Sequence, residues 1–260
     1  SLLNVPAEVV SANINAAVAK AAAKKRRIFV LGIMAGAFIA MGAQSSSLAV
    51  HNITDVGIAR TLAGCIFPVG LMMIVFVGGE LFTGDCMMSM ACMKGLLRTL
   101  LIVYLGNFAG AVLIAFLVAH SGQYDYSAGA LGAYTIKTAV GKTGLSFMRA
   151  LFSGILCNIL VCAAVLMAAA AKDIGGKVLA IFFPILAFVV SGFEHCVANM
   201  YYIPAGIFAA GNPAYVQKAQ ELYGLGAEKL TGLNWGSFVT VNLLPVTIGN
   251  IIGGAVMVGG

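Results

Sequence analysis

Charge is what this sequence has least of. Asp, Glu, Lys and Arg together make up 9% of its 260 residues, against roughly 25% in soluble globular domains. So few charges leave too little polar surface to cover a globule of this size in water. Acids are the scarcer sign, nine against fifteen bases, for a formal net charge of +6. In a soluble chain that surplus would point to nucleic acid. Here most of it falls in one run, Lys20, Lys24, Lys25, Arg26 and Arg27, just before the first long apolar segment. Such a run reads as a topology signal at the inner face of a membrane, and no nucleic-acid partner is expected. Paired cysteine motifs are also missing. Cys65, Cys86, Cys92, Cys157, Cys162 and Cys196 lie in or beside apolar runs without a CxxC pair. Buried free cysteine behaves as a small hydrophobe, so neither a disulfide framework nor a metal site is expected. Catalytic spacings are missing as well: His51, His120 and His195 stand far apart, and no HExxH, GxSxG or P-loop occurs. These absences argue against an enzyme and imply no cofactor. The first apolar run follows a long helical stretch rather than a short basic leader, so no cleavable signal peptide is expected.

Apolar side chains fill the space that charge leaves. Hydrophobic residues are 61% of the chain, and glycine, at 32 residues, far outnumbers proline, at 6. Small residues let membrane helices approach closely. Six apolar runs, at 28–50, 62–93, 96–118, 148–171, 178–210 and 235–259, each come near the roughly 20 residues that a bilayer crossing needs. The stretch at 5–27 reads instead as an amphipathic helix. Pro6 suits its first turn, Glu8 suits the positive end of its dipole, and Val10, Ile14, Val18 and Ala21 recur at helical spacing. The expected organisation is therefore an N-terminal amphipathic helix over 1–27, lying along the membrane face, and a six-span domain over 28–260. Lys94 and Arg98 after the second run, and Lys172 and Lys177 after the fourth, share a side with the N-terminal basic run. Positive-inside asymmetry then places both termini in the cytoplasm.

The second and fifth runs are too long for plain helices, and both carry polar breaks. One reads Gly78-Gly79-Glu80-Leu81-Phe82-Thr83-Gly84-Asp85, with Thr83 and Asp85 as natural caps for a restarting helix. The other reads Ser191-Gly192-Phe193-Glu194-His195, with Glu194 and His195 adjacent at about mid-membrane. Ionisable groups there are costly and usually functional. Broken backbone at that depth is tolerated only when buried in protein or lining a wet cavity. The landmarks also repeat in order. Met34-Ala35-Gly36 matches Phe152-Ser153-Gly154, Phe67-Pro68 matches Phe183-Pro184, Glu80 matches Glu194, and Gly106-Asn107 with Gly110 matches Gly249-Asn250 with Gly253. Three spans per half make the second half inverted, the pattern of transport folds with a pathway at the repeat interface. The expected fold is thus an all-α membrane protein of two inverted three-helix repeats.

GELFTGD at 79–85, GFEHCVANMYYIP at 192–204 and PVTIGNIIGG at 245–254 resemble the bacterial formate/nitrite transporter family, most closely its hydrosulfide channel branch. The resemblance runs over nearly the whole chain. It implies an aquaporin-like protomer, assembled as a homopentamer in the bacterial inner membrane with a pore in each subunit. It also implies residue roles. His195 matches the central pore histidine, and Thr83 the threonine facing it. Lys142 and Asn158 match a vestibule lysine and its polar partner, Glu194 the acid beside the histidine, and Asn250 an asparagine near the pore centre. Phe67, Leu71, Leu81, Phe82 and Phe188 match the apolar constrictions.

The mechanism expected from these residues starts with solvation. A bare small anion in an apolar throat costs tens of kcal/mol in the Born limit, and protonation removes most of that cost. Lys142 is expected to draw the anion in. Loss of water raises the anion's proton affinity, and His195, or water linked to it, supplies the proton. Hydrosulfide is the favoured substrate within a class that includes formate and nitrite. Asn212-Pro213-Ala214 spells the aquaporin tripeptide, which keeps a neutral-solute channel for water or glycerol as the rival. Only one copy is present, however, and the polar residues after it read as a surface helix.

Overall fold

A chain this apolar must close its backbone hydrogen bonds within helices, and the computed structural model of the protein is built from them. It describes residues 3–88 and 93–260, with the backbone alone at Met93 and Lys94, so Cys92 and the Lys94 side chain lie outside the described residues. Among the described residues, six helical segments are long and apolar enough to cross a membrane.

The amphipathic helix α1 (Pro6–Ala22) carries Pro6 in its first turn, and Glu8 Oε2 accepts from the Val5 N–H at 2.9 Å. The chain breaks at Ala23-Lys24, so Lys25, Arg26 and Arg27 open the first span, α2 (Lys25–Val50), rather than close α1. The second span starts earlier than hydropathy suggests. Asp55 accepts from Ile58 N–H at 2.8 Å and caps α3 (Val56–Ile66), which runs through Phe67-Pro68 into α4 (Val69–Val77). After a break comes the short α5 (Phe82–Asp85), then the long α6 (Met93–His120). The second half repeats this order with α7 (Ala130–Thr143), α8 (Phe147–Ala170), α9 (Ile174–Ser191) and, after its own break, α10 (Cys196–Ala210). Asp173 caps α9 through Gly176 N–H at 2.7 Å. Two surface helices, α11 (Pro213–Tyr223) and α12 (Ala227–Thr231), lead to the last span, Trp235–Val258. Asn212 caps α11 by accepting from Ala214 N–H at 2.9 Å, so the aquaporin tripeptide is a surface cap. The last span winds as π-helix over Phe238–Leu243 and Ile252–Val258.

Residues 130–143 fall outside the six apolar runs. They form a helix whose inner face, including Leu131, Ile136 and Val140, is buried in the core with α10. Lys142 therefore rides on packed structure.

The inversion is written in hydrogen bonds. Asn107 on α6 accepts from Phe82 N–H at 2.9 Å and donates to Gly32 O at 2.7 Å and Glu80 O at 2.9 Å. Asn250 on the last span accepts from Cys196 N–H at 2.9 Å and donates to Gly154 O at 2.7 Å and Glu194 O at 3.1 Å. Each asparagine ties a broken helix to the straight helix beside it. This corrects one sequence match: the partner of Gly154 is Gly32, one turn before Gly36. The register extends outwards, since Lys20 precedes Gly32 and Lys142 precedes Gly154 by the same twelve positions. The pairs of straight helices touch closely at glycine. A Cβ on Gly110 would collide with Ile33 O, and one on Gly253 with Ile155 O.

Candidate functional site

The two breaks are made differently. In the first half, α4 ends on Gly78 at φ +112°, a conformation that glycine adopts without strain. In the second, Gly192 at φ +70° closes α9 in the left-handed manner, its N–H bonded to Val189 O at 3.0 Å and the next N–H to Phe188 O at 3.2 Å. Both chains then run extended for a few residues before α5 and α10 restart. The cap of α10 is the His195 side chain, whose Nδ1 accepts from Ala198 N–H at 3.0 Å. Thr83 and Asp85 do not cap α5, contrary to the sequence reading. Both lie inside it, because the cap position falls on Leu81 and the first free N–H is taken by Asn107.

Where the halves meet, Thr83 Oγ1 and His195 Nε2 lie 3.0 Å apart, both buried. Nδ1 is already an acceptor, so a neutral ring carries its proton on Nε2, facing Thr83. The Phe188 ring stacks on the imidazole at 5.8 Å, and Phe67 meets Phe188 edge-on at 5.5 Å. Phe67, Phe188 and His195 share the wall of a cavity of about 290 Å³, together with Lys142, Asn199 and Arg60. Leu71, Leu81 and Phe82 are buried in the core, with Phe82 edge-on to Tyr104 at 4.9 Å.

Lys142 is tied down. Its Nζ binds both carboxylate oxygens of Glu194, at 2.9 and 3.1 Å, and lies 5.1 Å over the Tyr202 ring. Glu194 Oε2 also accepts from Asn199 at 2.6 Å, and Asn242 links Asn199 to Lys142 O. The hydrogen-bond partner of this ammonium is thus Glu194, which Asn199 braces, while Asn242 holds the lysine's backbone carbonyl. Asn158 is elsewhere: it donates to Thr83 O at 3.0 Å and to Asn250 O at 2.6 Å, bracing the threonine from behind. Cys162 Sγ also reaches Thr83 O, at 3.4 Å. Among the described residues, Cys65, Cys157, Cys162 and Cys196 form no disulfide.

The opposite half carries a mirror of the Lys142 pair. Lys20, at the matching register, holds Glu80 at 2.7 Å and Asp85 at 2.6 Å. Burial pulls the Lys20 ammonium down, but the two carboxylates outweigh it and hold it above the ordinary lysine range. Sequence reasoning treated Lys20 as a topology charge. It missed Asn199 and Asn242 altogether, and took Asn107 only as a repeat landmark. Asparagine inside an apolar run was the available signal, since each amide needs partners there.

The sequence model described as "Formate/nitrite transporter" matches residues 7–260. The chain is 36% identical to a "Probable formate transporter" of Methanothermobacter thermautotrophicus, over 97% of this chain and 93% of that one. It is 36% identical to "Formate channel FocA" of Haemophilus influenzae, over 98% and 92% of the two chains. Among solved structures, a "Pentameric formate channel with formate bound" superposes with a TM-score of 0.81 at 33% identity, covering 90% of this chain and 94% of the other. An "FNT family ion channel" superposes with a TM-score of 0.78 at 28% identity, covering 97% and 96%.

Proposed function

The chain belongs to the formate/nitrite transporter family, and from that premise we propose that it is a non-enzymatic channel for small monovalent weak-acid anions, carried past His195 with a proton. The observation that carries this reading is the buried contact of Thr83 Oγ1 with His195 Nε2, beneath the Phe67–Phe188 pair. An anion that replaces Thr83 as the partner of Nε2–H keeps one charge-assisted hydrogen bond while losing its water. Desolvation makes it a stronger base. With Nδ1 occupied by Ala198 N–H, water linked to His195 brings the proton, and the neutral acid crosses Leu71, Leu81 and Phe82. Thr83 and His195 hold the anion, Asn158, Asn250 and Glu194 hold the loops, and Lys142 holds Glu194. The names of the relatives favour formate; the resemblance of the motifs to the hydrosulfide branch favours hydrosulfide. A homopentamer in the inner membrane, with both termini cytoplasmic, completes the reading, supported by the pentameric neighbour.

Uptake of formate, nitrite, hydrosulfide, chloride and glycerol into proteoliposomes at two pH values tests it. Weak-acid anions should enter well above protein-free vesicles and faster at the lower pH, and their ranking names the substrate. Entry of glycerol or water alone would leave the fold standing and remove the role given to His195.

A further inference from the structure

The paired state of Lys142 leaves the vestibule without the cation it was expected to offer. Its charge is countered by Glu194 at 2.9 Å, so together they contribute a dipole rather than a net charge. One cation on the cavity wall is uncompensated. Arg60, on α3, enters none of the ion pairs among the described residues. Its side chain crosses the end of α9: a Cβ on Gly192 would sit 3.5 Å from the guanidinium Nη1. The partial negative charge of that helix C-terminus steadies it there.

Arg60 stands between two spaces. It lines the cavity of about 290 Å³ above His195, and also a more external cavity of about 580 Å³ that includes His51, Lys137 and Tyr223. Tyr134 is on both walls too. Among the described residues, no acid lines either cavity. Lys137 is held in the outer cavity by aromatic faces, 4.7 Å over Tyr223 and 5.7 Å over Tyr134. A solute moving from the outer cavity into the inner one, which Phe67, Phe188 and His195 line, passes Lys137 and Arg60.

We infer that Arg60, with Lys137 beside it, forms an anion-binding station at the outer mouth, and that its preferred ligand is a small planar oxyanion, a carboxylate or nitrite, over hydrosulfide or chloride. The guanidinium presents parallel N–H donors that match two oxygens at once, whereas a single-atom anion can take only one such position. Lys137 adds attraction that reads charge alone. The station deepens the anion-channel reading and rests on it. It makes Arg60 a selectivity residue at capture, upstream of the proton step.

The experiment is concentration-dependent uptake of formate and of hydrosulfide into proteoliposomes, in low salt, for the wild type, Arg60→Gln, Arg60→Lys and Lys137→Gln. Size-exclusion elution checks that each variant assembles as the wild type does. Arg60→Gln should raise the half-saturating formate concentration about tenfold, with the maximal rate kept within about twofold. The hydrosulfide value should rise only about two- to threefold, because it loses attraction but no second hydrogen bond. Arg60→Lys should restore hydrosulfide and not formate. Lys137→Gln should shift both anions equally, an effect that fades near 150 mM salt. Equal shifts for the two anions in Arg60→Gln, or full rescue of formate by lysine, would overturn the oxyanion preference. Unchanged half-saturation in Arg60→Gln overturns the station while leaving the channel in place. A wild type that moves no anion overturns the channel reading itself.

Discussion

His195 carries two bonds that constrain each other. Nδ1 serves the backbone as the cap of α10, and Nε2 faces Thr83. A substitution at this position therefore changes structure and chemistry together unless the cap is preserved. Asparagine is among the strongest N-caps, so His195→Asn should keep α10 and the assembled size on a sizing column. Loss of the Nε2–H partner should slow formate uptake at least about tenfold, the worth of one hydrogen bond to a charged group. His195→Phe would lose the cap as well, at about 1 kcal/mol, which makes it the poorer test. An asparagine variant that conducts like the wild type removes His195 from the mechanism.

At the scale of elements, α1 is attached at both ends. Lys20 holds it to both Glu80 and Asp85 at the first break, and Asn4 ties its start to Ala170 O at 2.8 Å. Removing one partner of a largely buried ion cluster leaves uncompensated charge, typically about 3 kcal/mol. Lys20→Gln should accordingly raise hydrogen exchange through α1 while the spans stay protected; unchanged protection of α1 would show that its apolar face alone holds it. The pH dependence has a definite sign. A lysine whose folded pKa is raised contributes stability that is fully present below the unfolded value, about 10.4, and is lost only as pH rises past it. Lys20 thus keeps α1 docked across the physiological range. Lys20→Arg, which keeps the positive charge, should keep α1 docked over the same range.

The whole molecule is two copies of one device, and the two asparagines test whether the copies are equivalent. Asn107 and Asn250 each satisfy one N–H and two carbonyls at a break. Truncating either to alanine strands those groups, at about 2 kcal/mol. Asn107→Ala and Asn250→Ala should lower the unfolding temperature in detergent by similar amounts, with additive effects in the double variant because the two asparagines share no hydrogen-bond partner. A large asymmetry would mean that one break bears the fold and the other is secondary.

Much of this was legible in the residues. The scarcity of charge and the lengths of the apolar runs required a six-span membrane protein, because polar backbone and charged side chains have no water to turn to in a bilayer. Gly78, Gly192, Glu80 and Glu194 marked the breaks, and GELFTGD with GFEHCVANM marked the family. The Lys142–Glu194 and Lys20–Glu80 pairs were not legible, since their partners lie on separate elements and only packing brings them within reach. Nor were the helix at 130–143, the displacement of Asn158 to Thr83, or the exposure of Arg60 at two cavities. Local pattern determines which segments enter the membrane and where they break. Which lysine is neutralised, and which cation is left for an anion to find, depends on distances between elements far apart in the chain, and those were decided only when the two halves closed on each other.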